Sequence, residues 1–590
     1  MNSRQKKIEL SIGLSIGVIS FLVYLFTLSP AVGFIDAGEL AAAACTLGIA
    51  HPTGYPLFTL VGRIFSMLPV SSEEIIRLNI MAAFFVACGM VLFYHLLCEL
   101  LFEYPQKIKI LASVFSTVSL AFSQTVWSQA TGIEVYSLHI FLIMLTLLWL
   151  LRAYRSNKFR DWLLFSSLWG LAFTNHLTSI LIAPASLYLF IKANGLTKSS
   201  FKKIIFVTPA FFISLSLYIY LPIRSAHNPI LNWGNPETAE KLFWHVSGKQ
   251  FRVWMFSSTE AAGRQLSQYL HKLPQEFFYL PLLISLFGIV FLLIHNRKIF
   301  FWILLLLLTT VSYSINYDIH DIDSYFLLSY AAWMMFTAFG IVSLTEKLPN
   351  YAFNIFSIVI LGFSVLTAAE HWKGADRSGE YLVEDYTKNV LAELPPNSIL
   401  ISYQWDYLIS ASYYFQYIKN FRPDIILIDK ELLRRSWYFK QLNRNYPALY
   451  EKSKNEITLF LRELNKFEHD EPYEYAVIEG AYAEMMKSFV DTNIDSVRCF
   501  VTSEIEPPYL RGYYRIPYGL TAELRKDNSA YLERTLPAYT FHNITGTDTY
   551  TKNLLHLIVV SLTSRAAYEK QFNKEENERW FQQQAEEILH

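Results

Sequence analysis

Across 590 residues the chain is 53% apolar and 16% aromatic but only 17% charged, where an ordinary soluble domain carries about a quarter charged residues, so a wholly water-soluble chain is excluded. Lys plus Arg and Asp plus Glu both number 50, so net charge gives no hint of nucleic-acid binding or of steering toward an acidic partner. Four scattered cysteines exclude a disulfide framework or a Cys-rich zinc site.

Arg4, Lys6 and Lys7 precede an apolar run from Ile8 to Leu28, longer than a signal-peptide core and without a small-residue cleavage site. It reads as a retained first span with a cytoplasmic N-terminus. A bilayer core needs about 20 mostly apolar residues per helix, and further runs of that kind fall at 79–101, 109–126, 134–151, 162–174, 177–192, 204–222, 278–295, 299–315, 325–344 and 351–369. The expectation is a mostly α polytopic membrane protein of about 11 transmembrane helices. Basic clusters at Lys107 and Lys109, Arg152 to Arg160, Lys192 to Lys203 and Arg297 with Lys298 mark alternate turns as cytoplasmic. Residues 162–192 must then cross twice, breaking at Thr174-Asn175-His176-Leu177-Thr178. Loops 29–78 and 223–277 face away from the cytoplasm on this count, so 1–369 forms the membrane domain. Residues 370–590 are charged enough to form an extracytoplasmic soluble α/β domain. It opens like a βαβ unit, with runs at 398–403 and 424–429 around a helix at 407–418 and no Gly-rich nucleotide turn.

The densest chemistry is in the first outer loop. Asp36 and Glu39, three apart, share one helical face just beyond the first span, where a carboxylate can act as general base toward a hydroxyl. The same spacing before an apolar run is also a capping box with Asp36 as the cap. His51-Pro52-Thr53-Gly54-Tyr55-Pro56 is either a re-entry turn or a rigid loop aiming His51 and Tyr55. Further along, Glu134, beside Tyr136, stands at the mouth of a span as a functional carboxylate or a helix cap, and Asn175 with His176 tips the short hairpin. Arg224 is a phosphate-binding fork or an interfacial anchor, and Trp233 a sugar platform or a belt residue. The turn Asp318 to Asp323, with Asp321 and Asp323, is a solvated loop or a set of cation ligands; no metal site is assigned.

The run Asp-Ala-Gly-Glu at 36–39, followed by Leu-Gly-Ile-Ala-His-Pro-Thr-Gly-Tyr-Pro-Leu-Phe, resembles the signature of the domain-of-unknown-function 2723 family, whose animal relative is the transmembrane protein 260 type of protein O-mannosyltransferase. Trp127 with Glu134-Val135-Tyr136, Thr174-Asn175-His176, Asn232-Trp233-Gly234 and Asp321-Ile322-Asp323 extend the resemblance in order. It implies a GT-C-like bundle, an acidic motif in the first outer loop and a polyprenyl-phosphate sugar donor. The acidic pair is adjacent in related O-mannosyltransferases but separated by two residues here, so the resemblance leaves the choice of base between Asp36 and Glu39.

The expected activity is transfer of a sugar, with mannose the family's example, to a protein, lipid or glycan hydroxyl with inversion. The expected partners are that lipid-linked donor, the acceptor and membrane lipid, without nucleic acid. No cofactor is required, a divalent cation being compatible but not obligatory. The competing class is a transporter or flippase for a lipid-linked or polar solute. A bacterial inner membrane is expected before an endoplasmic-reticulum one, since the chain carries a single glycosylation sequon at Asn543-Ile544-Thr545.

Overall fold

The computed structural model describes residues 3–542, 544, 546 and 548–589, so Asn543 and Thr545 of the sequon lie outside the described residues. The chain divides into two compact units, one of Met1–Ser29, His51–Ala226 and Pro236–Ser378, the other of Pro30–Ala50, His227–Asn235 and Gly379–His590.

The first unit is helical. Among the described residues eight helices are long and apolar enough to cross a membrane, rising to ten if two bent pairs each count as one span. The chain is a multi-pass integral membrane protein. Helix occupies every expected position, but the count differs from about 11 because several pieces are short or broken. Phe159–Phe173 has 15 residues, too few for a full crossing. Gln106–Ala121 bends by 61° into Gln124–Thr131, and Thr259–Glu276 bends by 104° into Leu280–His295. The expected break after Thr174 is present, and helix resumes as a 3-10 turn over Leu177–Ile182.

Water does not drive helices together inside lipid, so close backbone contact must. Leu280–His295 meets Leu327–Thr345 through Gly288 and Gly340; a Cβ on Gly288 would collide with the Phe336 carbonyl, and one on Gly340 with the Ile284 carbonyl. Leu327–Thr345 is largely buried, whereas Lys198–Leu215 and Asn350–Ala375 turn Phe206, Ile213, Ile358 and Val365 outward, as lipid-facing helices do. Thr259–Glu276, read above as loop, is amphipathic, and its Glu276 carboxylate accepts from the Thr125 N–H (2.8 Å) and hydroxyl (2.9 Å). That caps the start of Gln124–Thr131, where unpaired N–H groups favour an anion.

The second unit is built on a five-stranded sheet in the order β2-β1-β3-β5-β4, with β1 Ile399–Ser402, β2 Ile426–Asp429, β3 Cys499–Val501, β4 Tyr514–Pro517 and β5 Ala522–Arg525. β1 is parallel to both β2 and β3, and β5 runs antiparallel to β3 and β4. The expected βαβ opening is present, its helix confined to Ser410–Tyr417 after one wide turn over Trp405–Ile409. Asp429, 2% exposed at the end of β2, accepts from the N–H groups of Glu431 (2.8 Å) and Leu432 (3.1 Å), and burial pushes its pKa up to about 7.

Two earlier segments belong to this unit. Ile49 N–H donates to Leu231 (2.9 Å) and Trp233 N–H to Ile49 (3.3 Å), pairing 30–50 with 227–235. The helix Ala37–Thr46 lies against Ser410–Tyr417, and a Cβ on Gly38 would collide with the Ser410 carbonyl. The glycine of the Asp-Ala-Gly-Glu motif is therefore a packing requirement.

Candidate active site

Asp36 occupies the N-cap position of Ala37–Thr46, yet its side chain makes no capping bond. Its Oδ1 instead accepts from the indole Nε1–H of Trp405 at 2.7 Å. The capping reading thus fails for the Asp36 side chain, which is turned to a partner 369 positions away. The same loop holds the backbone on either side. Ile35 N–H donates to the Asp406 carbonyl (3.1 Å), and Glu39 N–H donates to the Ser410 hydroxyl (3.0 Å). Ile35 has φ 60°, an unusual conformation for a β-branched residue that the bond to Asp406 helps to hold. Glu39 is fully buried and Asp36 partly exposed, so Asp36 is the more accessible carboxylate. Trp405 meets Trp233 edge to face at 5.2 Å, and Trp233 lies 5.1 Å from Trp437. Trp233, 8% exposed, is thus a core residue of this unit and not a membrane-belt residue.

The other sequence candidates lie in the membrane unit. The Tyr55 hydroxyl meets His51 Nε2 at 3.1 Å and donates to the Pro52 carbonyl at 2.9 Å. Gly54, at φ +88°, sits where a Cβ would meet His245 and Leu221 side chains at 2.9 Å. Tyr55 stacks on His176 with ring centroids 5.9 Å apart, and Tyr136 and His139 lie 4.9 and 5.1 Å from the same imidazole. Thr178 joins the two histidines, its hydroxyl 2.6 Å from His176 Nδ1 and 3.1 Å from His139 Nε2. His51, Tyr55, Tyr136 and His176 therefore form one group, joined by His139 and Tyr325, which spacing does not mark because they sit inside apolar stretches.

The remaining candidates make the following contacts. Glu134 caps Val135–Ser156 by accepting from Val135 N–H at 3.2 Å. Asn175 donates to the Val135 carbonyl at 3.1 Å. Asp318 pairs with Arg264 and Asp323 with Lys272, both at 2.6 Å, so two of the turn's three carboxylates are paired with cations of Thr259–Glu276. Arg224 ends the short helix Tyr220–Ala226 and is half-buried.

Residues 36–199 match the N-terminal domain of the protein O-mannosyl-transferase TMEM260 family. Mouse protein O-mannosyl-transferase TMEM260 is 24% identical over 457 residues, covering 72% of this chain and 64% of that protein. The Dictyostelium discoideum protein of the same name is 23% identical over 572 residues, covering 86% of this chain and 66% of that protein. The chain resembles TMEM260. It spans just under two-thirds of the length of these curated relatives. The TMEM260 match begins at Asp36 and takes in Glu39, His51, Tyr55, Glu134, Tyr136, Asn175 and His176; Arg224, Trp233, Asp321, Asp323 and Trp405 lie beyond it. The fold, a GT-C-like membrane bundle with a small α/β sheet, is also that of ArnT from Cupriavidus metallidurans in its crystal structure bound to undecaprenyl phosphate. The TM-score is 0.52 at 10% identity, over 88% of this chain and 98% of that one. Trp405 follows the C-terminal end of β1, the end at which open α/β sheets place functional groups, and that is the signal a sequence reading could have used.

Proposed function

We propose that the chain is an integral membrane glycosyltransferase that moves a sugar, mannose by analogy with the relatives' names, from a polyprenyl-phosphate donor to an acceptor hydroxyl with inversion. The observation that carries the reading is the Asp36 carboxylate, released from capping and held by Trp405. Such a group accepts the proton of an attacking hydroxyl while the hydroxyl oxygen bonds to the anomeric carbon and the lipid phosphate departs. Serine or threonine hydroxyls fit the relatives' description, and a lipid or glycan hydroxyl would react in the same way. Arg224 and the imidazole and phenol group around His176 are the donor-binding candidates, and Glu39 supports the loop from its buried position. A lipid monophosphate leaves without the two adjacent phosphates that usually call for a metal, so transfer in chelator is expected to persist. The acidic loop and the C-terminal sheet are assigned to the non-cytoplasmic side, of a bacterial inner membrane in the first instance.

The test is transfer of radiolabelled sugar from a panel of polyprenyl-phosphate donors by membranes carrying the protein. Asp36→Asn is expected to lower transfer by about 10²–10⁴-fold, the usual worth of a general base, at unchanged protein abundance. Wild-type transfer by that variant would remove Asp36 from the mechanism, and solute flux without any donor would favour a transporter.

A further inference from the structure

The second unit contains a cavity of about 380 Å³ whose residues take no part in the transfer proposed above. Its size falls within the roughly 300–1,000 Å³ typical of small-molecule sites. Asn232 and Asn235 line it from the loop that carries Trp233, and Trp437, Gln441 and Asn443 line it from Ser436–Asn445. With Asn228 the wall holds five carboxamides, an indole and two cations, Lys440 and Arg444, and no carboxylate.

The hydrogen bonding of this wall narrows the ligand. Arg444 is committed to the protein, because its guanidinium donates to the carbonyls of Pro229 and Ile230 and to the Asn445 side chain (3.1 Å). It therefore clamps the loop and does not present an open fork to a phosphate. Asn232 is 4% exposed; its N–H donates to Gln441 Oε1 (3.2 Å) and its Nδ2 to Asn235 Oδ1 (3.0 Å). Its Oδ1 accepts no hydrogen bond from any described group. A buried acceptor in that condition is costly unless a ligand donor reaches it. Carboxamides both donate and accept, which matches a set of vicinal hydroxyls, and the Trp437 indole, 9% exposed, lines the cavity beside them.

We infer that this cavity is a binding subsite for a neutral pyranose, recognised by carboxamides around its hydroxyls and by the Trp437 indole against its C–H face. Phosphate fits less well because the Arg444 guanidinium is already occupied, which leaves Lys440 as the other cation among five carboxamides, and an extended peptide less well because the wall is a compact pocket without an unpaired strand edge.

Full-length protein in detergent, titrated with methyl glycosides and short neutral oligosaccharides and followed by ligand-observed NMR, tests the assignment. Saturable binding of at least one neutral sugar is expected. It should weaken by about tenfold or more in Trp437→Ala, as for a central aromatic contact. Asn443→Trp, at an exposed helix position, fills the cavity without touching the core and is expected to abolish binding. Asp36→Asn should bind sugar as the wild type does, so loss of transfer and loss of this subsite are separable. No saturable sugar binding, binding unchanged in Asn443→Trp, or saturation by inorganic phosphate or a Ser/Thr-rich peptide in place of sugars would overturn the inference.

Discussion

Replacing Trp405 with phenylalanine removes one N–H donor and keeps most of the ring that meets Trp233. The lost bond is 2.7 Å long and ends on a carboxylate. Hydrogen bonds to charged groups contribute about 1.5–3 kcal/mol, and partial exposure of both residues puts this one around the lower end, about 1–2 kcal/mol. If Asp36 is the base and Trp405 its positioning residue, that energy is lost from the reacting geometry. At 1.4 kcal/mol per decade, sugar transfer falls about 5- to 30-fold. The assay is steady-state transfer by purified protein in nanodiscs, varying donor and acceptor separately. The loss should appear in kcat, with both KM values within about twofold of wild type, because an orientation bond to the base does not hold either substrate. A variant that keeps more than half of wild-type kcat, or whose loss lies wholly in KM, refutes the link between the indole and the base.

Gly38→Val should drive the Ala37–Thr46 helix away from Ser410 and lower the thermal midpoint, overpacking of this kind costing about 1–3 kcal/mol; an unchanged midpoint would mean the two helices can part freely. Gly288→Leu should reduce the yield of monodisperse protein after detergent extraction, because Leu280–His295 and Leu327–Thr345 touch through backbone there; normal yield and melting would contradict that packing. The pH dependence follows from Asp429. Between the ordinary carboxyl value near 4 and about 7 the folded state binds more protons than the unfolded chain, so its stability falls as pH rises through that window and levels off above it. Asp429→Asn keeps an oxygen for the Glu431 and Leu432 N–H groups and should flatten the change in melting temperature between pH 5 and pH 8, an effect of order a few kcal/mol at most; equal slopes in variant and wild type would refute it.

Much of this architecture is legible in the sequence because lipid imposes a length and a hydropathy that a single chain displays. The first span, the break at Thr174 and the strands around Ser410–Tyr417 all follow from local patterns. Asp36 stands out for the same reason, as an acid in an apolar setting. Its role is ambiguous in the sequence because capping and catalysis ask for the same spacing, and the indole that holds its carboxylate lies far along the chain at Trp405. The partners of the acidic turn are not legible in the sequence. Asp318 and Asp323 stand in a run without cations, and their partners Arg264 and Lys272 come from a helix whose mixed composition reads as loop. Phe159–Phe173 has 15 residues, fewer than a span needs, because the polar break that begins at Thr174 ends it.

The bond between Asp36 and Trp405 also imposes an order on synthesis. The acidic loop emerges from the ribosome soon after the first span, but its anchoring indole follows 369 residues later. At about 5–20 residues per second that is a delay of roughly 20–70 seconds, during which the membrane helices between them can insert and pack. Until the segment after β1 is made and folded, Ile35, Asp36 and Glu39 lack their bonds to Asp406, Trp405 and Ser410. Before Trp405 is made, the proposed base therefore has no indole to hold its carboxylate.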